Sequence, residues 1–262
     1  MKHWLYRRLI LSLALLGIFS GALAIIFPGR KTIYASILLT GIGRDYLQKQ
    51  INLVEEHAIK NEKPSIQQKK FLEDFYRTLA IGGTISGFAT QAGQLMNHYL
   101  NKTGKDFQLK SDIFTDNFNI GVQANIIRGM IIDEKCEAST AYESPNFYMP
   151  HPSSPDSVFA LYYGRIEAQT SLKEDVCTIQ WQAEVPWVWP SYTEITQKYG
   201  SPHGEDFPLP SLRSLLLGPK ESLTVGNGLG RYLEDIGLAK RFNARGSWKE
   251  ELPISNLIKS SN

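Results

Sequence analysis

Residues 158–185 read VFALYYGRIEAQTSLKEDVCTIQWQAEV, and this stretch decides the fold class. Val158 to Thr170 and Val176 to Val185 are rich in Tyr, Ile, Val, Thr and Trp, residues that fit a pleated, half-buried surface, and a polar turn around Leu172 to Asp175 separates them. The pair predicts a β-hairpin. Downstream, Leu229 to Phe242 reads as a helix and Trp248 to Ile254 as a closing strand. Upstream, Pro145, Pro150, Pro152 and Pro155 make a rigid loop, because proline fixes φ and removes a backbone donor.

The N-terminal part follows a different period. Leu47, Ile51, Val54 and Ala58 recur at three- and four-residue steps and predict an amphipathic helix from Tyr46 to Lys60. Ser65 and Gln68 form a capping box ahead of a second helix with the stripe Phe71, Leu72, Phe75 and Leu79, which Gly82 and Gly83 are expected to end. A third helix is expected from Thr84 to Leu100, with Phe88, Ala92, Leu95, Met96 and Tyr99 on one face. Phe107 to Ile132 fits either period: Ile120, Val122, Ala124 and Ile126 alternate as in a strand, whereas Ile126, Ile127, Met130 and Ile131 suit a helix. Pro186 to Pro210, with Trp187, Trp189, Tyr192 and Tyr199, reads as an irregular loop and a candidate functional region. Helices first and mostly strands after them argue an α+β class.

Leu9 to Phe27 holds 19 uncharged residues. A helix rising roughly 1.5 Å per residue makes this nearly long enough for a hydrocarbon layer about 30 Å thick. It is expected to be a signal anchor, residues 1–30, with the C-terminal part on the periplasmic side of the inner membrane; Ala22-Leu23-Ala24 offers an alternative in which the chain is cleaved and secreted. A second apolar stretch, Thr32 to Gly43, is too short to cross; it lies on the membrane or docks on the domain. The net charge is +2, but without Lys2, Arg7 and Arg8 the 28 basic residues fall to 25 against 26 acidic. That balance, with no run of Lys or Arg, excludes the electrostatic footprint of a nucleic-acid binder. Cys136 and Cys177 either form one bridge in an oxidising compartment, closing a loop of about 40 residues for roughly 3 to 4 kcal/mol, or stay as buried thiols. Neither has a Cys or His at metal-ligand spacing.

No GxSxG, HExxH, P-loop or CxxC pattern is present. Gly226-Asn227-Gly228-Leu229-Gly230 either presents amides to a phosphate or simply allows a strand-to-helix turn. His57, beside Glu55 and Glu56, reads as solvated, and His151 stands between two prolines with no carboxylate nearby.

Two segments resemble the colicin M family of bacteriocins, which cleave a lipid-linked peptidoglycan precursor. Asn97-His98-Tyr99-Leu100-Asn101-Lys102-Thr103-Gly104 is similar to that family's helix-ending HYL-x-x-x-G element, with Gly104 expected in a left-handed cap and His98 near the last carbonyls. From Phe159 onward, His203-Gly204-Glu205-Asp206-Phe207, four residues and then Leu212-Arg213 resemble the family's D-x-Y-D-F segment and its His-Arg pair. Asp206, Phe207 and Arg213 match; His203, Glu205 and Leu212 stand where the family has Asp, Tyr and His. The organisation expected is a membrane helix at 1–30 and a helical region at 31–106, then an α+β C-terminal domain at 107–262 that resembles the family's catalytic domain, with a mostly antiparallel, open, barrel-like sheet. The resemblance also implies a hydrolase of a polyprenyl-pyrophosphate-linked precursor, with Arg213 stabilising phosphoryl charge, Asp206 binding Mg²⁺ or orienting water, and His203 or Glu205 moving the proton. Asp206, Arg213 and His203 should then meet in one cleft.

A different class of function is a non-catalytic envelope protein that binds a protein or cell-wall partner through Trp187, Trp189 and Tyr192. Leu212 in place of the family histidine motivates it. A third is a secreted toxin whose N-terminal segment serves delivery.

Overall fold

The computed structural model describes residues 29–86, 90–136, 140–149, 161–204, 206–209 and 222–253. The Leu9 to Phe27 segment therefore lies outside the described residues, and among those described no helix is long and apolar enough to cross a membrane. In chain order the elements are α1 (Arg30–Thr40), α2 (Arg44–Ile59), α3 (Ile66–Ser86), α4 (Thr90–Leu100), β1 (Phe107–Gln108), α5 (Asp112–Thr115), α6 (Phe118–Asp133), β2 (Ala141–Glu143), β3 (Phe147–Tyr148), β4 (Tyr163–Lys173), β5 (Val176–Trp187), α7 (Tyr192–Tyr199), β6 (Phe207–Leu209), β7 (Leu223–Val225), α8 (Gly228–Asp235) and β8 (Phe242–Pro253). The class is α+β. Two compact units share these elements: one takes the described residues up to Gly82 together with Trp189–Ala239, the other Gly83–Val188 together with those from Lys240 onward.

The first unit is built on α2 and α3. Leu47, Ile51, Val54 and Ala58 of α2 are buried, as their spacing predicts. At the start of α3, Ser65 N–H donates to Gln68 Oε1 (2.8 Å) and Gln68 N–H to Ser65 Oγ (3.2 Å), completing the expected capping box. Phe71, Leu72, Phe75 and Tyr76 line its buried side. The apolar stretch after Gly29 is α1, which docks on this unit: Tyr34, Ala35 and Ile37 are buried, and the Tyr34 ring meets Phe71 edge-on at 5.6 Å. Gly82 and Gly83 do not end α3, which continues to Ser86; a glycine in a helix interior costs only about 1 kcal/mol against alanine and is readily overridden by packing. The third helix correspondingly begins at Thr90 rather than Thr84.

The second unit is a six-stranded sheet in the order β1-β8-β5-β4-β2, with β3 added on β4. β4 and β5 form the predicted hairpin, with Lys173 opposite Val176 and Glu174 in the left-handed conformation (φ 55°). β8 lies antiparallel along the whole of β5, from Val176 opposite Pro253 to Trp187 opposite Phe242. β1 then pairs with β8 in parallel, so the sheet is mixed, and among the described residues it does not close into a barrel. One face alternates Ile166, Ala168, Ile179, Trp181, Ala183 and Val185 into the core, where α6 contributes Ile120, Ala124, Ile127 and Ile131. Arg128 of α6 grips Glu250 through two hydrogen bonds (2.9 and 2.8 Å), and Trp181 Nε1 donates to the same carboxylate (3.2 Å). Cys136, just past α6, is bridged to Cys177 of β5 with their Cα atoms 6.0 Å apart. The 107–132 segment resolves into a two-residue strand, a short helix and α6.

Two further expectations are corrected. The helix after Gly226 stops at Asp235 because Gly237 adopts φ 71°; Leu238 N–H then bonds Leu233 O (2.7 Å) and Gly237 N–H bonds Glu234 O (2.9 Å), a Schellman ending that frees Phe242 to open β8. At the end of α4 the left-handed residue after Asn101 is Lys102 (φ 60°), with Gly104 (φ 63°) a second one beyond it, and His98 Nε2 bonds Lys105 O (2.7 Å) rather than the helix-end carbonyls. The His98 ring is held between Phe107 and Phe242 at 5.1 and 4.6 Å, a structural position.

Candidate functional site

Within the first unit, four chain segments meet at one buried point, three of them with polar side chains. The segment read as an irregular loop contains α7, started by a capping box in which Ser191 Oγ accepts from Glu194 N–H (3.1 Å) and Glu194 Oε2 accepts from Ser191 N–H (2.6 Å). This fixes Tyr192, the first helical residue, with only 5% of its surface exposed. Gly200 stops α7 in the left-handed conformation (φ 73°), and a tight turn follows in which Ser201 accepts from the backbone of His203 and Gly204 (both 3.2 Å). The chain then enters β6, whose pairing of Phe207 with Val225 places Asp206 and Gly226 opposite each other just past the end of the short ladder. From α2, Glu55 points to the same place.

The geometry is close. Gly226 N–H donates to Glu55 Oε1 at 2.5 Å. A Cβ added to Gly226 would lie 2.5 Å from the Tyr192 hydroxyl, 2.8 Å from Glu55 Oε1 and 3.2 Å from Asp206 Oδ1, so two carboxylates and a phenol converge over one glycine. Gly228 is required for the same reason, since a Cβ there would strike the Tyr192 ring at 2.7 Å. The glycines of this turn serve close approach, and the Gly226 amide is given to Glu55 rather than presented outward.

Asp206 Oδ2 lies 2.9 Å from His203 Nδ1, with the imidazole side chain 51% exposed and the carboxylate 18%. Its other oxygen, Oδ1, is buried and has no hydrogen-bond partner among the described residues, and the Tyr192 hydroxyl abuts Glu55. Glu55 is 5% exposed. Burial pushes its carboxyl up to about 7, Asp206 adds to the rise, and the Gly226 amide, His203 and Tyr192 hold it back. Tyr76 and Tyr192 are both raised above the usual phenol range, first by burial and then by the Glu55 charge.

The polar groups run from the half-exposed His203 ring through the Asp206 carboxylate to the buried Glu55. A proton on His203 Nδ1 that is donated to Asp206 would leave Nε2 as the accepting nitrogen. Of the residues expected at the site, Asp206 and His203 come together, while Glu205, Arg213 and Leu212 lie outside the described residues. His151 does too. Among the described residues no three His, Cys, Asp or Glu side chains are grouped to hold a metal.

Sequence reading passed over Glu55 and Tyr76 as site residues and offered Tyr192 only as a partner anchor. For Glu55 a signal existed: it stands four residues after Ile51 and one after Val54, inside the apolar stripe of α2, where an unpaired charge has no reason to be. Of the aromatic positions offered as a partner anchor, Trp187 is 7% exposed and stacks on Phe242, Tyr192 is buried in the cluster, and Trp189 is half-buried over Gly230.

Compared with known proteins, the chain matches no family model, no curated protein and no solved structure.

Proposed function

We propose that this chain is a cell-envelope hydrolase in which His203, oriented by Asp206, activates water against the pyrophosphate link of a polyprenyl-carried peptidoglycan precursor. The observation that carries this reading is the 2.9 Å contact of His203 Nδ1 with Asp206 Oδ2 on a half-exposed ring. It lies in the segment that resembles the colicin M family, and it offers a proton acceptor where Leu212 replaces that family's histidine. In the reaction, the water oxygen bonds to phosphorus as its proton passes to His203 Nε2. The phosphorus–oxygen bond to the lipid alcohol breaks, and the imidazolium returns the proton to the departing oxygen. Arg213 would neutralise phosphoryl charge. Asp206 Oδ1 is a hard oxygen of the type Mg²⁺ takes, but the described residues do not complete a donor set, so no step is drawn through the metal. A periplasmic location, tethered by a single inner-membrane span, is supported by the uncharged Leu9 to Phe27 run and by the Cys136–Cys177 bridge, which suits an oxidising compartment.

The test is release of a water-soluble pyrophosphate fragment from a polyprenyl-linked precursor by the full chain, with Mg²⁺ and then with a chelator. Turnover is expected for the wild type, with His203→Gln lowering it by about 10²- to 10⁴-fold. Asp206→Asn is expected to lower it comparably. A wild-type protein that releases nothing, or a His203→Gln variant that keeps its rate, would sink the reading.

A further inference from the structure

Helix α6 is apolar on both sides. Ile120, Ala124, Ile127 and Ile131 enter the core of the second unit, yet Phe118, Val122, Ile126 and Met130, at successive four-residue steps, form a ridge on the opposite side. Their exposures are 66%, 39%, 55% and 49%. Four large apolar side chains in a row on the outside of a folded unit are not the scattered surface residues that every protein carries. The only charges in the helix are Arg128, engaged by Glu250, and Asp133 at its last residue. At the Phe118 end, Asn117 Nδ2 donates to Met149 O (2.6 Å), which fixes the start of the helix beside Tyr148. Tyr148, Tyr162 and Tyr163 form a mutual cluster there, with centroids 4.8 to 5.6 Å apart and each ring about half exposed.

We propose that this ridge is a peripheral membrane-docking face: α6 lies along a bilayer surface with Phe118, Val122, Ile126 and Met130 among the acyl chains and the three tyrosines at headgroup level. Tyrosine suits that depth because its ring is apolar and its hydroxyl wet. Two observations favour lipid over a second copy of the chain. The four side chains expose on the order of a few hundred Å², short of the roughly 800 Å² per partner of a stable protein interface. The same chain also carries the uncharged Leu9 to Phe27 run, which would hold the unit beside a bilayer at high effective concentration. The ridge carries no free cation, so attraction to anionic headgroups is not what drives docking. The proposal does not rest on hydrolysis, and its test involves no turnover.

The full chain would be reconstituted in phosphatidylcholine vesicles with a nitroxide at Val122→Cys, Ile126→Cys or Met130→Cys, and at Gln180→Cys on the exposed side of β5 as the reference. Mass mapping of the Cys136–Cys177 bridge verifies the fold of each variant. Collisions with dissolved oxygen are expected to exceed those with a water-soluble nickel chelate at the three ridge positions, and the reverse at Gln180→Cys. Ridge labels as open to nickel as the reference overturn the proposal. Ridge labels shielded from both probes and broadened by spin–spin coupling between copies overturn it in favour of self-association.

Discussion

Burial of Glu55 makes the stability of the first unit depend on pH in a defined direction. The unfolded chain ionises this carboxyl near 4.5 and the folded chain at about 7, so between those values the folded state holds the extra proton. Stability is fullest below 4.5 and declines as the pH rises to about 7, by roughly 3 kcal/mol if this group acts alone. Glu55→Gln keeps an oxygen for the Gly226 amide and has nothing to ionise. Denaturant unfolding from pH 4 to 8 should therefore show a flatter profile for the variant than for the wild type; parallel profiles would mean that Glu55 ionises normally. Gly226→Ala is expected to cost about 1 to 3 kcal/mol, since its methyl group would press on the Tyr192 hydroxyl at 2.5 Å and on Glu55 Oε1 at 2.8 Å. What sequence could reveal at this scale was uneven. Asp206 and His203, three residues apart, share a motif and a turn, whereas Glu55 and Gly226 are 171 residues apart and only the fold joins them.

Elements were legible where their period was clean and their ends were marked. The hairpin alternates between buried and open positions along the whole of β5 and through Thr170 of β4, so its pattern announced it, and α2 and α3 showed theirs through apolar stripes. α7 went unseen because an eight-residue helix offers little periodicity between prolines, although Ser191 and Glu194 already spelled its capping box. Ser191→Ala should cost about 1 kcal/mol by removing that cap, and near-ultraviolet dichroism should report the loosened Tyr192. An unchanged spectrum would show that packing alone holds the ring. α6 was ambiguous for a reason that the structure makes plain: apolar residues on its outer side erase the contrast from which helical period is read.

At the scale of the whole molecule, the α+β class followed from the order of helical and strand patterns. The interleaving of the two units had no local signature, because it depends on which distant segments bury each other's apolar faces. The Cys136–Cys177 bridge closes a separation of 41 residues and is expected to contribute roughly 3 to 4 kcal/mol. Unfolding with and without reductant should differ by about that amount, and equal midpoints would assign the bridge no role in stability. Among the strands, β8 is the last in sequence yet sits inside the sheet, between β5 and β1. A ribosome therefore delivers the hairpin long before its neighbour, and for the whole time that residues 188–241 are being made, the twelve-residue flank of β5 stands open as a template for the wrong strand. Nascent chains are expected to be prone to aggregation at that stage, and premature stop codons before residue 242 should yield aggregates rather than shorter folded products.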